Sequence, residues 1–252
     1  MHLFQEPEQE KTQPNTTQIL PETTWGNEPV PSGVPPEDKV VVTIARQFGS
    51  GGAEIGHHVA ETSQLQYVDY GIIEEVAKRL GVDVQRVARQ DEQTAGMAGH
   101  ILEAIRASNP FVANYGSLFE PTSPATQSKE LAYLRLTQRV VLELATEGNA
   151  VIVGRGSQFL LHNAPRTLHI YIFAPLPYRT ENVMKTFRLN NIQAKHLIEQ
   201  RDYEHDSYLR RYYGNDGHQP ALYHLLINTS LFSLELAADL IHQALPVIKE
   251  IQ

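Results

Sequence analysis

The apolar and polar positions divide the chain into a tail and a folded unit. Residues 1–38 carry no apolar period of either the helical or the strand kind. They hold Pro7, Pro14, Pro21, Pro29, Pro31, Pro35 and Pro36 among many Thr, Gln and Glu residues. A stretch that cannot bury a face reads as a disordered, proline-rich extension, with docking onto the domain or a partner as the alternative. The pattern changes at Lys39. Residues 40–45 form a nearly continuous β-branched run, as expected of a strand buried on both faces of a parallel sheet. Similar runs occupy 66–68, 150–153, 168–173 and 223–227. Between them, apolar spacing predicts helices over 54–62, 72–80, 130–147, 177–189, 192–211 and 233–248, with a long loop at 108–128 rich in Pro, Asn and Gly. About five strands alternating with helices imply an α/β fold: a parallel sheet with helices on both faces, built from right-handed crossovers.

Composition narrows the class. The chain has 252 residues, 41% of them hydrophobic, no cysteine and a formal net charge of −8. Without cysteine there are no disulfides, thiolate metal sites or cysteine nucleophiles. The acidic balance argues against nucleic acid as a partner. No apolar run is long enough for a membrane span, and the N-terminus lacks the order of a secretory signal. A cytoplasmic location is the expectation.

In parallel sheets ligands bind beyond the carboxyl ends of the strands. Three polar segments lie there. The first is Gly49-Ser50-Gly51-Gly52, between the first strand and a helix. Such a turn suits phosphate held by main-chain N–H groups and a helix N-terminus, although a glycine-rich connection without ligand has the same composition. The P-loop spacing G-x-x-x-x-G-K-[ST] is absent, because Gly52, Ala53 and Glu54 follow Gly51. Arg46 is the nearest candidate cation; its alternative role is packing or pairing at the strand end. The second segment is Asp69, either a ligand or arginine-orienting carboxylate or a helix N-cap. The third is Gly154-Arg155-Gly156, where a planar guanidinium suits a pair of phosphate oxygens. Arg179, Arg210 and Arg211 lie on the later helices and are candidates for neutralising charge as a phosphoryl group transfers, with Asp202 a further catalytic candidate on the same polar segment as Arg210 and Arg211; a solvated helical face is the alternative. The eleven histidines show no metal-ligand spacing, and no G-x-S-x-G elbow occurs.

The segment from Val42 to Gly56 (VTIARQFGSGGAEIG) resembles the opening of the cytidylate kinase-like proteins, within the P-loop nucleoside monophosphate kinases. Tyr67-Val68-Asp69, the stretch 150–156, the stretch 209–214 and Leu226-Ile227-Asn228-Thr229-Ser230 resemble further blocks of that family, in its order. The resemblance implies a three-layer P-loop kinase-like domain over 39–252, with a helical acceptor-binding insertion at about 82–130 and a lid at about 190–215. It implies transfer of the γ-phosphoryl of ATP, with Mg²⁺, to CMP or dCMP. Gly49–Gly52 would then hold ATP phosphate, with Arg46 the candidate cation beside them. Asp69 and Arg155 would face the acceptor, and Arg179, Asp202, Arg210 and Arg211 would serve transfer or closure. The family usually has arginines where this chain has Ala53, Tyr203, His205 and Ser207. That departure leaves a second expectation, a catalytically degenerate kinase fold that binds nucleotide as a sensor or scaffold.

Overall fold

The computed structural model describes residues 31–69 and 127–250. The expected helix 72–80, nearly all of the loop 108–128 and of the insertion 82–130, and most of the tail 1–38 lie outside the described residues; positions 127 and 128 of the expected loop are helical. The elements are β1 (Val41–Arg46), α1 (Gly52–Ser63), β2 (Gln66–Asp69), α2 (Gln127–Glu147), β3 (Ala150–Val153), α3 (Ser157–Leu160), β4 (Thr167–Phe173), α4 (Leu176–Phe187), α5 (Asn191–Tyr213), β5 (Leu225–Asn228) and α6 (Leu234–Lys249). The five strands form one sheet in the order β2-β3-β1-β4-β5, and every pairing is parallel. β1 sits at the centre, as its fully buried β-branched run requires.

Successive side chains of a strand point to opposite faces, and the core divides accordingly. Val42 and Ile44 join Val151, Val153, Ile170 and Ile172 beneath α1 and α6. Val41, Val68, Ala150 and Ile152 face the other way, against Leu136, Val140 and Leu144 of α2. The result is three layers, helix–sheet–helix. Burying each such side chain contributes about 1.5–3 kcal/mol.

Boundaries shift by one or two residues from the sequence expectation. β1 extends one residue further and takes in Arg46. α1 starts at Gly52, with Gly51 in a left-handed N-cap conformation. The strand expected at 223–227 begins only at Leu225, because Tyr223 caps a short 3₁₀ turn over Pro220–Leu222 and its hydroxyl donates to the Gly217 carbonyl at 2.6 Å. α5 begins with a reciprocal capping box between Asn190 and Gln193 and runs unbroken for 23 residues, longer than the expected 192–211.

A titratable residue is sealed in the sheet. His169 of β4 is 2% exposed and stacks between His224 (5.3 Å) and His162 (6.4 Å). Its Nε2 lies 3.2 Å from the Leu161 carbonyl, which can only accept, so Nε2 carries the proton. Nδ1 then accepts from the Thr43 hydroxyl at 2.7 Å. The ring is a neutral imidazole, and burial first, then His224 and His162, hold its pKa down to about 3. In the unfolded chain the same ring binds a proton near its ordinary value of 6.5. Between those values the unfolded state binds more protons, so stability is full above 6.5 and falls with pH below it. The expected loss is about 1.4 kcal/mol per pH unit. Thermal unfolding followed by circular dichroism between about pH 7 and about pH 5 should show a falling midpoint, with a shallower slope in His169→Gln. An equal slope in the variant would assign the acid sensitivity elsewhere.

Candidate functional site

The ends of the five strands open onto one edge of the sheet, and the turn after β1 is held there by side chains of three other segments: α4, α5 and the stretch after β5. Ser50 is fully buried. Its hydroxyl donates to the Gln47 carbonyl at 2.8 Å and lies 3.3 Å from that of Ile172, closing the turn on itself and on β4. Arg179 Nη1 takes the Phe48 carbonyl at 3.2 Å, Asn182 Nδ2 the Gly49 carbonyl at 3.1 Å, and the Thr229 hydroxyl the Ser50 carbonyl at 2.7 Å. Four successive carbonyl groups are thereby held by chain donors. By contrast, the N–H groups of Gly49, Gly51, Gly52, Ala53 and Glu54 have no acceptor among the described residues. The last three are the orphan donors of α1's first turn. A turn whose carbonyls are tied back and whose N–H groups remain at a helix N-terminus is an anion receptor.

A cation lies beside it. Arg46 ends β1, and its side chain runs between two glycines. A Cβ on Gly52 would stand 2.6 Å from Arg46 Cβ, and a Cβ on Gly154 would overlap the guanidinium itself. The two glycines are the seat of that side chain. Burial pushes the Arg46 pKa below its ordinary value and Arg155 adds to this, while Tyr67, Asp69 and Glu54 oppose it. An arginine does not lose its proton in a protein, so the shift registers a charge poorly solvated and in need of a counter-ion. Arg155 is half-buried, its guanidinium 5.1 Å from the centre of the Tyr208 ring. It sits in a left-handed backbone conformation (φ 58°) between Gly154 and Gly156 in the same region. Tyr213 donates to the Arg155 carbonyl at 3.1 Å, holding that turn. Asp69 ends β2 in register with Val153 and accepts from the Tyr67 hydroxyl at 3.2 Å.

The seat can be tested on Gly52. In the first turn of a helix, alanine normally stabilises relative to glycine by roughly 0.5–1 kcal/mol. Gly52→Ala should instead lower the thermal midpoint and weaken binding of inorganic pyrophosphate, because the new methyl group displaces Arg46. A gain in stability with unchanged binding would show that the side chain has another place to lie.

The structure thus brings Arg46, Gly49, Ser50, Gly51, Gly52, Asp69 and Arg155 to one edge of the sheet. Arg179 and Asp202 are joined to one another, Nη1 to Oδ2 at 2.6 Å. Arg179 Nε also donates to the Ala174 carbonyl, and Asp202 Oδ1 accepts from Phe48 N–H. In this arrangement the pair holds the turn. Arg210 and Arg211 are exposed near the end of α5. The first is 3.7 Å from Asp216, and the second has its guanidinium 5.7 Å from the centre of the Tyr212 ring. Sequence reasoning missed Asn182, the seat formed by Gly52 and Gly154, and His205 on the inner side of α5. Thr229 lay inside a quoted block without a role. Among the described residues no group of three His, Asp or Glu side chains could hold a metal ion, and no helix is long and apolar enough to cross a membrane.

A model of the cytidylate kinase-like family matches residues 41–231. The cytidylate kinase of Pyrococcus horikoshii is 27% identical over 201 residues, covering 79% of this chain and 85% of the relative. That of Methanocaldococcus jannaschii is 25% identical over 215 residues, covering 84% of this chain and all of the relative. Among solved structures, an uncharacterised protein of Eubacterium ventriosum superposes with a TM-score of 0.53 at 18% identity. The match covers 82% of this chain and 99% of that one, and supports the fold.

Proposed function

The chain belongs to the cytidylate kinase-like family, and on that premise we propose that it transfers the γ-phosphoryl group of ATP to a nucleoside monophosphate, CMP or dCMP. The observation that carries this reading is the stretch 47–54: four carbonyls tied back, five N–H groups left over, and Arg46 seated alongside. Phosphoryl transfer needs position and charge more than covalent help. Gly49–Gly52 and Arg46 hold the donor phosphates. Asp69 and Arg155, at the two neighbouring strand ends, face the acceptor. Arg179 and Asp202 keep the turn in shape, and Arg210 and Arg211 serve closure of α5.

Mg²⁺ fits this site as a companion of the nucleotide. Ala53 offers no hydroxyl, and the Ser50 hydroxyl is committed to backbone carbonyls. The ion would therefore be carried mainly by phosphate oxygens and water, as is usual for Mg²⁺, and when bound it neutralises phosphate charge.

A second reading, a nucleotide-binding sensor without turnover, draws on one feature. The inner side of α5 presents a neutral histidine, while Arg210 and Arg211 are exposed. The two readings separate on mixing the purified full chain with ATP, Mg²⁺ and each nucleoside monophosphate in turn and measuring diphosphate. Formation of CDP or dCDP in preference to the others is the expected result. ATP binding with no product from any acceptor replaces the kinase reading with the sensor reading. Absence of nucleotide binding removes both.

A further inference from the structure

The inner side of α5 crosses the open edge of the sheet, and three of its residues mark the path. Asp202 accepts from Phe48 N–H in the turn after β1. Tyr208 lies under the Arg155 guanidinium in the turn after β3. His205 sits midway, three residues from each. Steps of three keep side chains on neighbouring faces of a helix, about 4.5 Å apart along its axis. His205 is therefore placed over the gap between the two turns, where Arg46 lies against Gly154. Its imidazole is half-buried and has no hydrogen-bond partner among the described residues. A polar ring in such a place has a donor and an acceptor unused.

We propose that His205 contacts the phosphoryl group bound between Arg46 and Arg155, taking up one proton from solvent as that anion arrives. This rests on the reading of the two arginines as a phosphoryl site. With the site empty, burial and the charges of Arg46 and Arg155 hold His205 down to about 3, with a smaller contribution from His218. The ring is then neutral. Its other charged surroundings are few. Asp69 and Glu54 lie near Arg46 from β2 and α1. Arg201, Asp202, Glu204 and Asp206 belong to α5 itself, where Asp202 is paired with Arg179, Arg201 with Glu204, and Asp206 with His218. A phosphoryl dianion offsets both guanidinium charges and offers an acceptor, and each effect favours imidazolium. A pair of arginines would otherwise repel a permanent third cation. A titrating histidine adds charge only when the anion is present.

The test uses the full chain, with inorganic pyrophosphate as the probe. Calorimetric titration in two buffers of different ionisation enthalpy counts the protons taken up. Wild type should take up more than His205→Gln, by close to one proton at the acid end of the range. Comparing the two cancels the titration of pyrophosphate itself. As pH falls from about 8 to about 6, wild-type affinity should gain on the variant by up to about tenfold per unit, the limit for one linked proton. His205→Arg should bind pyrophosphate without that pH-dependent gain, which separates charge from mere folding. Equal proton uptake by wild type and His205→Gln, with both binding, overturns the proposal, as does failure of pyrophosphate to bind wild type. Proton-coupled binding without phosphorylation of any nucleoside monophosphate would remove the kinase reading and leave this one standing. Turnover without the linked proton would do the reverse.

Discussion

Arg46→Met should reduce kcat/KM for phosphoryl transfer by about 10³–10⁵, the range for an arginine that stabilises transferring charge. Methionine keeps an unbranched stem between Gly52 and Gly154, so the seat remains filled and only the guanidinium is lost. The fold should not suffer. Arg46 is a half-buried cation beside Arg155; its burial and that neighbour disfavour its charge, while Tyr67, Asp69 and Glu54 favour it. Losing the charge relieves its desolvation and the repulsion of Arg155 and gives up the attraction of Asp69 and Glu54, so the net change in stability is small. The signature is a thermal midpoint close to that of wild type in an enzyme almost without activity, measured by melting and by a coupled diphosphate assay. Activity within tenfold of wild type would show that the turn's N–H groups and Arg155 suffice, and that Arg46 only packs.

Arg179→Met should show a different signature, losing stability and binding together. Arg179 is 7% exposed and spans three acceptors: the Ala174 and Phe48 carbonyls and Asp202. Hydrogen bonds to a charged group contribute about 1.5–3 kcal/mol each when buried. Asp202 is 30% exposed at its side chain, so the pair itself is partly screened. A net loss of about 2–3 kcal/mol is expected, visible as a lower urea midpoint. With the Phe48 carbonyl released, the turn loses one of its four ties and ATP affinity falls. Arg179→Lys should rescue little, because one ammonium cannot reproduce the planar fork that reaches all three acceptors. Unchanged stability with reduced transfer would instead make Arg179 a group that meets the phosphates directly.

The architecture was legible because strands buried on both faces leave an unbroken apolar signature. The runs at 40–45 and 150–153 are of this kind, and each became a strand of the sheet; 168–173 did so as well, although His169 interrupts its apolar pattern. Tyr223 misled because an aromatic residue beside a leucine run reads as strand, whereas here its hydroxyl anchors a turn. The glycine turn was legible as a turn and its purpose was not. The seat of Arg46 joins Gly52 to Gly154, about a hundred positions apart, and only the packing of β1 against β3 brings them together. Charge on α5 was legible, but its direction was not. The inward face is set by Ala194, Ile198, Leu209 and Tyr213, which places Arg210 and Arg211 outside and His205 within reach of the sheet. A helical wheel through those four residues would have found His205.

Arg155 occupies a backbone conformation that glycine adopts freely and a side-chain-bearing residue adopts at a cost of about 1–2 kcal/mol. The chain is therefore not at its own stability optimum at this position. Directed evolution for heat resistance, with no demand on activity, would favour Arg155→Gly and select away the cation proposed for the acceptor. Under the proposed assignment, catalytic competence and thermal robustness pull in opposite directions on this one residue, so a thermostabilised version of the protein would have to seek its gains elsewhere.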